Sequence, residues 1–237
     1  VEPLLSVAAA RHDLVLLPSA GIVGPDGLTV ILGRSRAGKS TIAARAAALG
    51  HPVIGDDQVI IGRDGGAWPF PRRWRFYPDL VRTAPGAFRI LRPGTRRALR
   101  IRGLISTLSR GYVRPSLAVD PVELGGRPES MPRRPARLIL LDRRAELPEI
   151  SDVEATVDDA VAWAADLLAE QRARLRALGG ADWSTGLDGV AAKENDVLRE
   201  AFAGITCRRV SVPRAWDAAR AVSTTAVHLG FEAPPPS

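Results

Sequence analysis

Two apolar runs near the start of the chain, residues 13–17 and 28–32, flank a stretch ending in Gly24-Pro25-Asp26-Gly27. Those four residues suit a tight turn, so the pattern predicts an antiparallel strand pair. The second run leads directly into Gly33-Arg34-Ser35-Arg36-Ala37-Gly38-Lys39-Ser40. Residues 41–49 are alanine-rich and stop at Gly50, which predicts a helix and its terminator. Residues 53–55 and 59–61 predict a strand region bent around Asp56-Asp57, followed by a turn over 62–66 that leads to Trp68.

From 69 to 135 the pattern is irregular and rich in proline and arginine, which predicts mostly loop. Its apolar residues, among them Trp74, Phe76, Tyr77, Phe88, Ile90 and Leu91, predict that this loop packs on the rest of the protein. Residues 138–142 read as a buried strand. Thr156 with Asp159 three residues on predicts a helix cap, and Val157, Val161, Ala164, Ala165, Leu168, Leu175 and Leu178 keep helical spacing up to Gly179-Gly180. A second helix is predicted over 190–202, a strand over 207–212 and a closing helix over 215–229. There is no internal repeat. The organisation expected is one α/β domain over 1–232 with a mixed sheet, and a disordered tail over 233–237.

Composition changes this picture little. The 237 residues are 46% hydrophobic, ample for a buried core. No apolar run reaches the roughly 18–20 residues that span a bilayer, and residues 1–10 lack the basic region and cleavage pattern of a signal peptide. A cytoplasmic protein without a membrane partner is the expectation. The single cysteine, Cys207, sits in an apolar run and predicts core filling. A net charge of +7 suggests nucleic acid, but lysine occurs only at Lys39 and Lys193, the other basic residues are arginine, and no aromatic-basic recognition motif accompanies them. No nucleic-acid partner is expected.

The segment from Gly33 to Ser40 fits G-x-x-x-x-G-K-[ST] in full. Gly33 and Gly38 let the backbone curl so that the amides of Arg34, Ser35, Arg36, Ala37 and their neighbours through Thr41 point at phosphate oxygens. The following helix adds its positive N-terminal end. Lys39 supplies a mobile cation for the terminal phosphates and Ser40 a hydroxyl for magnesium. ATP and Mg2+ are the cofactors expected.

Asp56 and Asp57 follow Lys39 after one helix and one short strand, a spacing that lets the chain return to the loop. A carboxylate there can hold magnesium or accept the proton of an attacking hydroxyl. Neighbouring strand residues face opposite ways, and Asp57 is placed nearest the chemistry, with Ser40 as its partner for the metal. Asp142 is a rival, because it closes an apolar strand in the manner of a magnesium-binding aspartate, although Arg143-Arg144 next to it can neutralise it. His51, just past a helix end, reads as structural; His12 and His228 have no partner at recognisable spacing. Arg72 and Arg102, from the wider set Arg72, Arg73, Arg75, Arg96, Arg97, Arg100 and Arg102, are the arginines expected to contact phosphate or acceptor.

At these residues the sequence resembles the catalytic domain of HPr kinase/phosphorylase, and more distantly phosphoenolpyruvate carboxykinase. The resemblance rests on Gly33 to Ser40, on Gly50-His51 and on Ile54-Gly55-Asp56-Asp57, without an insertion over 1–61. From Trp68 onward it thins to Pro69-Phe70-Pro71-Arg72 and the strand and helix order near the end. It implies a mixed-sheet P-loop kinase fold and transfer of the terminal phosphoryl group of ATP to a hydroxyl, a serine of a peptide or protein. Its catalytic residues would be Asp57, Lys39 and Asp56. A small-molecule acceptor and self-association stay open, as does a non-catalytic ATP-binding regulator. The family's histidine before the loop is missing, since the corresponding stretch reads Leu16-Leu17-Pro18-Ser19, which puts the phosphorylase reaction in doubt.

Overall fold

A period-two alternation along the central strands sorts their apolar side chains onto the two faces of a sheet. Leu28, Val30, Leu32, Leu138 and Leu140 pack into one buried cluster, whereas Ile31, Ile139 and Leu141 pack into the other. In this computed structural model residues 2–110, 112–113, 115–124, 132–179 and 181–233 are described. Residues 234–237 of the tail expected at the end, and Gly180, lie outside them.

The elements are α1 (Glu2–Ala10), β1 (Leu14–Leu17), β2 (Ser19–Gly24), β3 (Gly27–Gly33), α2 (Lys39–Ala48), β4 (Val53–Gly55), β5 (Val59–Gly62), β6 (Ala67–Pro69) and β7 (Trp74–Phe76). They continue with α3 (Leu80–Thr83), α4 (Pro85–Ile90), α5 (Pro93–Leu108), β8 (Leu117–Val119), a 3-10 turn (Pro121–Leu124), β9 (Pro135–Arg144), β10 (Ser151–Ala155), α6 (Val157–Leu178), α7 (Ala181–Ala201), β11 (Thr206–Pro213) and α8 (Ala218–His228). The fold is mixed α/β. Its main sheet has six strands in the order β10-β11-β9-β3-β2-β4. Strands β3, β9 and β11 run parallel, and β2 is antiparallel to both β3 and β4. The end of β4 therefore lies at the same sheet edge as the ends of the parallel strands. Three more strands, β1-β5-β6, form a small antiparallel sheet, and β7 pairs with β8.

One face carries α2, α4 and α8, with Ile42, Ala43, Phe88 and Val222 in its core. The other carries α6, α7 and the small sheet, with Leu168, Leu198, Phe202 and Val59. Truncating a buried leucine or isoleucine in such a core to alanine typically removes about 2–5 kcal/mol. Helix α6 starts at the expected capping box: the Thr156 hydroxyl accepts from the Asp159 amide, and the Asp159 carboxylate accepts from the Thr156 amide. Arg172 of α6 pairs with Glu194 of α7 at 2.5 Å, and Ser6 of α1 donates to the same carboxylate at 2.9 Å. All three are buried, so the pair carries its own hydrogen bonds into the core.

Several expectations are corrected. Residues 13–17 do not pair with 28–32: β1 joins β5, and the antiparallel neighbour of β3 is β2, whose Ser19, Gly21 and Gly24 resemble turn residues. The segment from Gly33 to Ser40 thus follows the third strand and precedes the second helix. The stretch from 69 to 135 is not mostly loop. Prolines 85 and 93 open helices α4 and α5, where a missing amide hydrogen is harmless. Helix α7 begins at 181 rather than 190, α1 and β10 were not anticipated, and the last helix starts at 218 behind an Asp217 cap. Among the described residues no helix is long and apolar enough to cross a membrane.

Candidate active site

The segment from Gly33 to Ser40 sits at the carboxyl edge of the main sheet, between β3 and α2. At Gly33 a Cβ would come within 2.8 Å of the Leu141 carbonyl oxygen on β9, so only glycine lets the two strands approach this closely. Arg36 and Gly38 adopt positive φ, 68° and 109°, and this alternation of hand curls the backbone into a concave turn. Helix α2 begins at once, and the Thr41 and Ile42 amides close on the Gly38 carbonyl. Side chains of Arg34, Ser35 and Arg36 are exposed on the rim; Arg34 pairs with Glu170 of α6 at 3.2 Å. Behind the loop, the Val222 side chain of α8 lies 3.2 Å from where a Cβ would stand on Gly38.

Lys39 points inward and is buried. Its ammonium donates to the carbonyls of Gly33 and, at 3.2 Å, of Arg34. Burial lowers its pKa from the ordinary lysine value, and the charges of Asp57 and Asp56 partly offset that. Ser40 donates its hydroxyl to the backbone carbonyl of Asp56 at 3.1 Å.

The two aspartates diverge as adjacent residues must. Asp56 is buried, and burial, reinforced by the negative charge of Asp57, pushes its pKa up to about 7; Arg72 and Lys39 act in the opposite sense. Asp57 is 47% exposed and is held by Arg72 at 3.2 Å. Burial is the first cause of this shift, and a cation bound beside the pair would favour the ionised carboxylates. Among the described residues no group of three or more His, Cys, Asp or Glu could hold a metal unaided. Two carboxylates and a hydroxyl beside a glycine-rich turn fit magnesium, which takes one or two carboxylates and completes its shell with water or ligand oxygens.

The structure thus brings together Gly33, the loop residues, Lys39, Ser40, Thr41, Asp56, Asp57 and Arg72. Arg102 lies on α5, and no hydrogen bond or ion pair joins it to the loop or carboxylates among the described residues. Arg100 instead lies over the Phe88 ring at 5.6 Å. Asp142 sits at the end of β9, one residue past the partner of Gly33, on the other flank of the loop. Arg144 binds its Oδ2 at 3.0 Å, while its Oδ1 is buried without a hydrogen-bond partner among the described residues. Arg143 turns away to the carbonyls of Pro213, Arg214 and Trp216.

The three histidines are engaged elsewhere or exposed. His51 caps the end of α2 through its amide, lies edge-on to Phe231 and sits 3.3 Å from the Val23 carbonyl through Nδ1. His228 has a partner that spacing did not suggest, Asp152 at 2.8 Å, and His12 is exposed in the turn after α1. One residue beside the site went unnoticed in the sequence: Gln58, buried directly after the aspartates, with its Oε1 lacking a partner among the described residues. A lone glutamine in a bend carries no pattern that would have singled it out.

No protein-family model matches the chain, and no curated protein matches it.

Proposed function

We propose that this chain is an ATP-dependent kinase of the P-loop type, similar to HPr kinase/phosphorylase, which transfers the terminal phosphoryl group to a hydroxyl of a peptide or protein serine. The observation that carries this reading is the tie between Ser40 and Asp56, which fixes an acidic pair beside a phosphate-binding turn at one sheet edge. Loop amides and the N-terminus of α2 would receive the triphosphate. Lys39 would exchange its loop carbonyls for phosphate oxygens and stabilise charge on the transferring group. Ser40 and Asp57 would hold magnesium, which when bound neutralises charge on the terminal phosphates.

Asp57, exposed to solvent and steadied by Arg72, is assigned to orient and deprotonate the acceptor. The acceptor oxygen gives its proton to the carboxylate and bonds to the terminal phosphorus; the bond from that phosphorus to the bridging oxygen breaks and ADP leaves. Asp56, with a pKa about 7, provides a second proton site within the same pair.

Incubation with ATP labelled in its terminal phosphate and with serine peptides, proteins and small hydroxyl compounds tests this. Label should appear on an acceptor and be lost with Lys39→Ala and Asp57→Asn. Tight ATP binding with no transfer to any acceptor would favour a second reading, a nucleotide-binding regulator. That alternative is supported by the stretch before β2, where Leu17 is buried, the Ser19 hydroxyl donates to its carbonyl, and no histidine stands.

A further inference from the structure

We infer that Trp216 and Arg220 form the platform on which the nucleobase stacks, so that the ligand of the loop is a nucleoside triphosphate rather than an inorganic polyphosphate. This rests on the phosphate-loop reading above. Three observations carry it. The first is topological. Counting outward from β3, the acidic pair follows the second strand on one side (β2, then β4), and Trp216 follows the second strand on the other (β9, then β11). With strands about 4.8 Å apart, each stands roughly 10 Å from the loop, and both lie at the same sheet edge. A polyphosphate whose terminal group meets Asp56 and Asp57 must direct its other end away from them, toward the end of β11. Ligands of open α/β sheets bind along this edge.

The second observation is contact. Helix α8, which follows Trp216, abuts the loop through Val222 at Gly38, and both Ala37 and Trp216 pack against the same buried cluster. The third is the state of the two side chains. Arg220 lies over the Trp216 ring with 4.2 Å between its guanidinium carbon and the ring centroid. Trp216 is half-buried, and its backbone carbonyl is held by Arg143 at 2.5 Å, while Arg220 is exposed. An indole fixed by packing and backbone thus steadies an exposed guanidinium. A guanidinium stacks on flat π-faces, and a base supplies such a face whatever its sequence identity.

Calorimetric titration of the full chain with Mg·ATP and with Mg·tripolyphosphate separates the base from the phosphates. The wild type should bind ATP about tenfold tighter than tripolyphosphate, since stacking on one such platform is worth about that factor. Trp216→Leu should bring the two affinities within about twofold while leaving tripolyphosphate unchanged, and Trp216→Phe should restore the gap. Arg220→Gln, a change at an exposed position, should narrow the ratio at least threefold and decides the matter if Trp216→Leu does not fold. Equal wild-type affinities, or a ratio unmoved by Arg220→Gln and by a folded Trp216→Leu, overturn the platform alone. A wild type that binds neither ligand overturns the phosphate-loop reading and the platform with it.

Discussion

The Ser40 hydroxyl donates to the Asp56 backbone carbonyl at 3.1 Å, so the first turn of the helix behind the 33–40 loop is fastened to the acidic pair. One residue therefore stands in two places, on the structural tie and in the set proposed for magnesium. Ser40→Ala should lower stability by about 0.5–1.5 kcal/mol, the usual net worth of one hydrogen bond. It should also cost at least tenfold in ATP affinity when magnesium is present and far less in its absence. Denaturant unfolding, with titrations with and without magnesium, checks both.

Asp56 governs how stability follows pH. Its folded pKa, about 7, lies above the ordinary 3.8, so between those values the unfolded chain has lost a proton that the folded chain keeps. The contribution of Asp56 to stability therefore falls as pH rises from about 4 to about 7 and levels off above. Asp56→Asn removes this dependence and should stabilise the protein at pH 8 by up to about 4 kcal/mol, with no gain near pH 4. Unfolding curves across that range measure it, and a gain that does not vary with pH would contradict the assignment.

Alanine at the two loop glycines should act for different reasons. Gly38→Ala places a side chain at φ 109°, a cost of about 1–2 kcal/mol. Gly33→Ala drives a methyl into the Leu141 carbonyl and should cost about 1–3 kcal/mol as β3 and β9 part. Both should lower the melting temperature and weaken ATP binding, whereas Gly50→Ala, far from the loop, should leave ATP binding unchanged.

Asp57→Asn should reduce phosphoryl transfer by at least a hundredfold at saturating ATP and weaken ATP binding only when magnesium is present, as expected for loss of a residue that serves both as general base and as a ligand of the metal. Arg72→Ala should reproduce part of that loss by freeing the Asp57 carboxylate. Transfer assays at saturating ATP, paired with direct binding, separate the two effects.

The elements around the candidate site were legible because each has a local signal. Fixed glycines mark the loop, alanines mark α2, and the capping box at Thr156 and Asp159 marks α6. The aspartate pair was legible as a pair, but not the division between a buried Asp56 and a half-exposed Asp57, which depends on Arg72 returning from beyond β6. Strand pairing was least legible. Residues 13–17 form an apolar run that suits a strand, yet its partner is chosen by the small sheet that β5 and β6 build, and nothing local encodes that choice. Helices α4 and α5 were hidden by the prolines that begin them, and the first half of α7 by Gly186 and Gly189, which tertiary packing overrides. Trp216 and Arg220 looked unremarkable because their proximity to the loop exists only once α8 has folded onto it.

Titration of the purified chain with Mg·ATP, beside Lys39→Ala, tests the central claim most directly. The account predicts saturable one-to-one binding by the wild type and loss of at least tenfold in affinity for the variant at unchanged fold. A wild type that binds no nucleoside triphosphate, or a variant that binds as well as the wild type, would contradict it.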